Sequence, residues 1–316
     1  MQERYLVTGG AGFIGSNLAE ALVEQGHFVR VLDNFSTGKK ENIAGISDKI
    51  ELINGDIRYL NTVMEAMKDI DYVLHQAALP SVPRSIETPL ESNDVNINGT
   101  LNVLYAAKES GVKRVVYAAS SSAYGDTPTL PKVESMKVDP LSPYAVNKLA
   151  AEQYCKVFYG VYGLETVALR YFNIFGRRQD PTSFYSAVIP KFIKLFLNEQ
   201  APVINGDGSI SRDFTYIDNV ISANLLACKA PKAPGHVFNI ACGQRIDLNE
   251  MAEELRKLTG AKVTPTHGPE RLGDIKHSLA DINLAKELLG YEVKVHVKEG
   301  LKRTAEWFLK NRDALG

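Results

Sequence analysis

Tyr144 is followed four residues on by Lys148, and none of the other tyrosines among the 14 in this 316-residue chain has a lysine four residues after it. On a helix such a pair shares one face, which puts an ammonium beside a phenol. That neighbour favours phenolate and could bring Tyr144 well below the ordinary tyrosine pKa of about 10, as a general base near neutral pH requires. Upstream, Ser120-Ser121-Ser122 offers three hydroxyls. A second constellation lies near the start, Gly9-Gly-Ala-Gly12-Phe-Ile-Gly15. Gly9 allows a tight turn, Gly12 lets backbone approach a pyrophosphate, and Gly15 permits close helix–strand packing. Asp33 follows 18 residues beyond Gly15. It is placed to accept hydrogen bonds from an adenosine ribose, and its charge repels a 2′-phosphate. Asn34-Phe35-Ser36-Thr37 contains no arginine, so NAD is favoured over NADP. Asp56 is placed to meet the adenine amine, and Ala77 and Ala78 are small enough for a cofactor to lie close.

These residues need a scaffold, and the pattern supplies one. Short β-branched runs at Tyr5–Thr8, Phe28–Leu32, Ile50–Ile53, Tyr72–His75, Arg114–Ala119 and Thr166–Arg170 alternate with helical stretches. The helices fall near 12–25, Asn93–Ser110 and Tyr144–Tyr159. This alternation argues for an α/β fold, a Rossmann-type doubly wound parallel sheet with helices on both faces. Each chemical residue then falls at or beyond a strand's C-terminal end, where such sheets bind ligands. Beyond Arg170 the rhythm becomes irregular. Residues 1–172 and about 213–240 are expected to form the NAD-binding domain. About 173–212 and 241–316, with helices near Leu248–Leu258, Ile282–Leu289 and Val297–Leu309, form a smaller, discontinuous substrate domain.

Composition narrows the function. Hydrophobic residues make up 45% and charged residues 23%, enough apolar mass for a core. Lys+Arg is 36 against Asp+Glu 37, a formal net charge of -1, which gives no electrostatic ground for a nucleic-acid or membrane-surface partner. The three cysteines and six histidines show no metal-ligand spacing, so no metal and no disulfide framework is expected. With no signal peptide and no apolar run long enough to span a bilayer, the chain is expected in the cytoplasm.

The sequence resembles the extended short-chain dehydrogenase/reductase family and, within it, the UDP-hexose 4-epimerases. The resemblance rests on Thr8–Gly15, the serine run ending in Ala123-Tyr-Gly125, Tyr144–Lys148 and Arg170-Tyr-Phe-Asn173. It continues through Asn205-Gly-Asp-Gly208, Arg212-Asp-Phe214 and Arg271-Leu-Gly-Asp274. It implies that Tyr144 takes the sugar O4 proton, that Lys148 lowers its pKa and holds the nicotinamide ribose, and that Ser120 hydrogen-bonds O4, with Ser121 and Ser122 one register away. The cofactor set takes in Gly9, Gly12, Phe13, Ile14, Asp33, Asn34, Asp56, Ile57, Ala77, Ala78, Asn96, Tyr144, Lys148 and Tyr171. On the substrate side, Asn173 is expected at the diphosphate or sugar, and Arg212 and Arg271 at phosphates. Asp274 would take a ribose hydroxyl, and Val188, Ile189 and Tyr216 would line a uracil pocket. Asn205 and the Ser81-Val82-Pro-Arg84 segment complete the set. The resemblance also implies a homodimer through the helices near Asn93–Ser110 and Tyr144–Tyr159.

Two features bear on the hexose. Gly176-Arg-Arg-Gln-Asp-Pro181 and Ser183–Lys191 resemble members acting on N-acetylated sugars. Ser278 occupies the family's pocket-size position, where a serine leaves room for a 2-acetamido group and a large aromatic would not. The expected reaction is interconversion of UDP-GlcNAc and UDP-GalNAc, with UDP-Glc/UDP-Gal as further substrates. A UDP-glucuronate 4-epimerase or decarboxylase is the alternative, Arg84 then serving a C6 carboxylate. A non-catalytic NAD-binding regulator would have no use for Tyr144, Lys148 and Ser120 together. A 4,6-dehydratase needs acids where Ser121 and Ser122 stand.

Overall fold

The computed structural model describes residues 2–182, 187–270 and 277–315. Its centre is a parallel sheet built from β1 (Arg4–Thr8), β2 (Phe28–Asp33), β3 (Ile50–Asn54), β4 (Tyr72–His75), β5 (Arg114–Ser120) and β6 (Glu165–Tyr171). Three short strands follow, β7 (Ile174–Phe175), β8 (Val203–Asn205) and β9 (Ser211–Arg212), then β10 (Thr215–Tyr216), β11 (Val237–Ile240), β12 (Ile246–Asp247) and β13 (Thr266–Gly268). The seven-stranded order is β11-β6-β5-β4-β1-β2-β3, the Rossmann-type arrangement expected from the strand–helix alternation. β11 pairs with β6 in parallel, so the sheet's edge comes from residues far along the chain. The remaining short strands pair as β7 with β10, β9 with β12 and β8 with β13.

Strands buried on both faces explain the continuous apolar runs. Tyr5 and Val7 face one core with Leu18 and Leu22 of the helix Phe13–Glu24 and Val220 and Ala223 of the helix Ile217–Lys229. Leu6 faces the other, with Val63, Val103, Leu104, Ala151 and Cys155. The second core receives the helix Pro143–Tyr162, which fixes where Tyr144 and Lys148 lie. Ser142 begins that helix, its Oγ accepting from the Ala145 N–H at 3.2 Å, with Pro143 in the first turn. Gly163, at φ 71°, ends it in the left-handed conformation. The helix expected near Asn93–Ser110 is two α-helical pieces, Pro89–Asn93 and Gly99–Glu109, joined by a π turn over Asp94–Asn98. No helix among the described residues is long and apolar enough to cross a membrane.

Candidate active site

β1 lies between β2 and β4, and the chain leaves it toward opposite faces, making the crevice at its C-terminal end the place for a ligand. A cleft of about 780 Å³ opens there. Gly9 turns at φ 67°, and a Cβ on it would sit 2.7 Å from Ala77 Cα. A Cβ on Gly15 would fall 2.1 Å from the Gly9 carbonyl oxygen, so the helix approaches the turn as closely as only glycine allows. At Gly12 the added carbon would meet only Gly9 O, at 3.2 Å. Gly12 caps the helix Phe13–Glu24 without a side-chain hydrogen bond, leaving its N-terminus to an anion. These features fit the diphosphate of a dinucleotide.

Two carboxylates line the cleft. Asp33 is buried, and its two oxygens accept from the Ala11 N–H at 2.9 Å and the Phe35 N–H at 2.8 Å. Burial raises its pKa, and these backbone donors oppose that rise. Asp56 differs. Burial pushes its carboxyl up, but hydrogen bonds from the Arg58 guanidinium and N–H and from Asn34 outweigh it, so the group lies below its ordinary value.

Every residue expected at the cofactor lines this cleft except Asn96, from Gly9, Gly12, Phe13 and Ile14 to Ile57, Ala77, Ala78 and Tyr171. Asn96 is buried: its Oδ1 accepts from the Leu79 N–H at 2.8 Å and its Nδ2 donates to Leu79 O at 3.1 Å. It holds Leu79, which does line the cleft. Tyr171 shares a buried network with Gln76 and Asn224, whose Nδ2 donates to the Tyr171 hydroxyl at 2.8 Å; burial lifts that phenol to about 12.

Tyr144 and Lys148 line the same cleft. The Tyr144 N–H donates to Ser85 Oγ at 3.0 Å. Lys148 Nζ donates to Ala118 O at 2.6 Å and lies 4.8 Å from the centre of the Tyr117 ring. Burial lowers its pKa to about 8. Burial raises the Tyr144 phenol above the ordinary tyrosine value, and the hydrogen bond from Ser120 only opposes the rise. The reason is desolvation: phenolate is the charged form, and an apolar surround disfavours it. Of the three serines, Ser120 is the one hydrogen-bonded to Tyr144. Ser122 Oγ donates to Ser120 Oγ at 2.8 Å, and Ser121 opens a short turn through Tyr124.

The expected substrate residues are more dispersed. Ser81 and Arg84 line the cleft, with Arg84 3.6 Å from Glu91. Val82 is exposed at the start of the helix Val82–Glu87. Asn173, at φ 41°, donates from Nδ2 to Ser278 Oγ at 3.1 Å and to Asp213 O at 3.0 Å. Asn205 is exposed at the end of β8, and Arg212 is half-buried in β9. Ile189 and Tyr216 are packed in the core, Tyr216 with its ring centre 5.6 Å from that of Phe175 in an edge-on contact. Their apolar pattern answers first to packing; Val188 is half-buried against the same cluster. Arg271, Asp274 and part of the 183–191 run lie outside the described residues.

The sequence reading left out several cleft residues. Arg58 sits two positions after Asp56, and Gln76 immediately before Ala77, so proximity to recognised positions was the available signal. Lys39 and Asp180 line the cleft from segments remote in sequence and pair at 3.1 Å; no spacing announces such a bridge.

Fold and cleft together define a dinucleotide-binding protein of the Rossmann type. The chain belongs to the NAD dependent epimerase/dehydratase family, whose model matches residues 5–241. Within that family it falls among the UDP-sugar 4-epimerases, which are isomerases. The UDP-N-acetylglucosamine 4-epimerase of Methanobrevibacter ruminantium M1, solved in complex with UDP-N-acetylmuramic acid, is 41% identical at a TM-score of 0.93, over 98% of this chain and 100% of that one. The UDP-glucose 4-epimerase of Mycolicibacterium smegmatis is 37% identical over 310 residues, 96% of this chain and 98% of that protein. The UDP-glucuronate 4-epimerase of Thermodesulfobacterium geofontis is 37% identical over 320 residues, 97% of this chain and 96% of that protein.

Proposed function

We propose that the protein interconverts UDP-GlcNAc and UDP-GalNAc, with UDP-Glc and UDP-Gal as secondary substrates. One observation carries the choice of hexose: the small side chain of Ser278 hydrogen-bonds Asn173 at 3.1 Å, which puts the residue at the expected pocket-size position beside the expected sugar contact, where a larger side chain would take up more room. Similarity to the UDP-N-acetylglucosamine 4-epimerase supports the same reading.

NAD, held by the Gly9–Gly15 turn, Asp33 and Lys148, would supply a reversible acceptor for the hydride of the sugar C4. The protein's own groups manage the O4 proton. Tyr144 takes it, and Ser120 hydrogen-bonds O4. The raised phenol pKa makes Tyr144 a firm holder of that proton while the 4-keto sugar turns about its diphosphate linkage. Deprotonating it first requires positive charge beside it, which Lys148 supplies from the adjacent turn of the helix. Asn173 and Arg212 would hold the diphosphate. Arg271 and Asp274 stay in the proposal from the sequence alone.

Incubation of purified protein with UDP-GlcNAc and no added NAD tests this, read by sugar H1 signals in NMR. UDP-GalNAc is expected to appear. Turnover of UDP-Glc alone would keep the mechanism and discard the Ser278 argument.

Arg84 supports a second reading, turnover of a UDP-uronate. It lines the cleft with Glu91 at 3.6 Å, and a UDP-glucuronate 4-epimerase is among the relatives. Carbon dioxide release or uronate turnover would reveal it. A homodimer is part of the proposal too. Val146, Val157, Tyr159 and Tyr105 are exposed on the helices Pro143–Tyr162 and Gly99–Glu109, an apolar surface suited to a second copy.

A further inference from the structure

Asp213 is fully buried, yet among the described residues none of its hydrogen-bond partners is a cation. Its carboxylate gathers backbone N–H groups from two remote segments: Cys242 N to Oδ1 at 2.9 Å, Gly243 N to Oδ2 at 3.1 Å and Ala280 N to Oδ2 at 3.2 Å. Its own main chain turns the other way. The Asp213 carbonyl accepts from Asn173 Nδ2 at 3.0 Å, and the Asp213 N–H donates to Ser278 Oγ at 3.3 Å. Ser278 N in turn donates to Ser211 O at 3.1 Å. One residue therefore pins the strip that carries Ser278 and fixes the amide of Asn173.

We propose that Asp213 is a positioning residue for the sugar end of the substrate site: it sets the distance between Asn173 and Ser278, and so the room left for a C2 substituent. This rests on the proposed roles of Asn173 and Ser278. Only a carboxylate suits the position. All three backbone partners are donors, and a carboxylate is acceptor-only, whereas an amide would turn an NH₂ toward at least one of them. Burial raises the Asp213 pKa to about 6, opposed by the N–H groups of Ala280, Cys242 and Gly243, so the fold retains this carboxylate against a desolvation cost.

Asp213→Asn should raise KM for UDP-GlcNAc about tenfold, the worth of one charge-assisted hydrogen bond, while kcat stays within about twofold and bound NAD is retained. The preference for UDP-GlcNAc over UDP-Glc should fall with it. The KM effects of Asp213→Asn and Ser278→Ala should be non-additive, since one acts through the other. A loss of thermal stability with unchanged KM and unchanged sugar preference would overturn the proposal, as would strict additivity. If the variant does not fold, hydrogen exchange in the wild-type enzyme decides. Saturating UDP-sugar should slow exchange at the Cys242 and Ala280 amides, and no change there would overturn the idea. Failure of the wild-type enzyme to turn over any UDP-hexose would instead sink the underlying substrate assignment.

Discussion

Lys148 Nζ donates to the carbonyl oxygen of Ala118 at 2.6 Å, tying the helix that carries Tyr144 to the strand that ends at Ser120. The ammonium is held at a buried carbonyl, so its charge is costly when no cofactor shares it. Its folded pKa is about 8, depressed by burial, against about 10.4 in an unfolded chain. Between those values the unfolded state binds more protons, so this group's contribution to stability rises with pH from about 8 to about 10.5. Below pH 8 its penalty is present in full.

Lys148→Met should therefore stabilise the cofactor-free protein at pH 7, by at most about 3 kcal/mol before the lost hydrogen bond is subtracted. The advantage should shrink toward pH 10. Thermal unfolding of both proteins at pH 7 and pH 10 checks this; a gap that widens with pH would contradict it. Catalysis should be lost in the same variant.

Tyr144→Phe removes the proton acceptor and leaves the glycine turn and Asp33 untouched. We expect kcat to fall by about 10²–10⁴, the usual worth of a general base, with NAD still present in the purified protein. Ser120→Ala should cost less, roughly tenfold. The NMR epimerisation assay separates the two.

Ser278→Tyr should lower kcat/KM for UDP-GlcNAc by about tenfold or more relative to UDP-Glc. The ring would crowd the space beside Asn173 and remove the 3.1 Å hydrogen bond. Unchanged discrimination would refute the pocket argument.

Gly15→Ala would place its new carbon 2.1 Å from Gly9 O and 2.8 Å from Gly10 Cα. Both are backbone atoms, so the turn itself must shift. Destabilisation of about 1–3 kcal/mol is expected. Bound NAD, released by heat and measured by absorbance, should fall sharply.

Much of this was legible beforehand, and the exceptions share a cause. The strands could be read because burial on both faces leaves an apolar run, and the glycine turn because close backbone contact leaves no alternative residue. Tyr144 and Lys148 could be paired because helical spacing is fixed. Asn96 and Ile189 were read as ligand contacts, and the fold packs both into the interior, since sequence does not show which side of a backbone a residue meets. At Tyr144 a lysine four residues away is visible in sequence, whereas the burial that raises the phenol is not. Lys39 and Asp180 meet only through the fold.

The strand β11 gives the nucleotide-binding sheet an edge made from residues that follow a long excursion. A fragment ending near residue 172 would hold every glycine and carboxylate of the cofactor cleft's first half, yet would leave β6 as a bare apolar edge. Such edges recruit other chains. During synthesis the ribosome must deliver Val237–Ile240 before the sheet can close, so until then the nascent protein carries that open edge. Shortening the protein to its apparent first domain would freeze it at that stage.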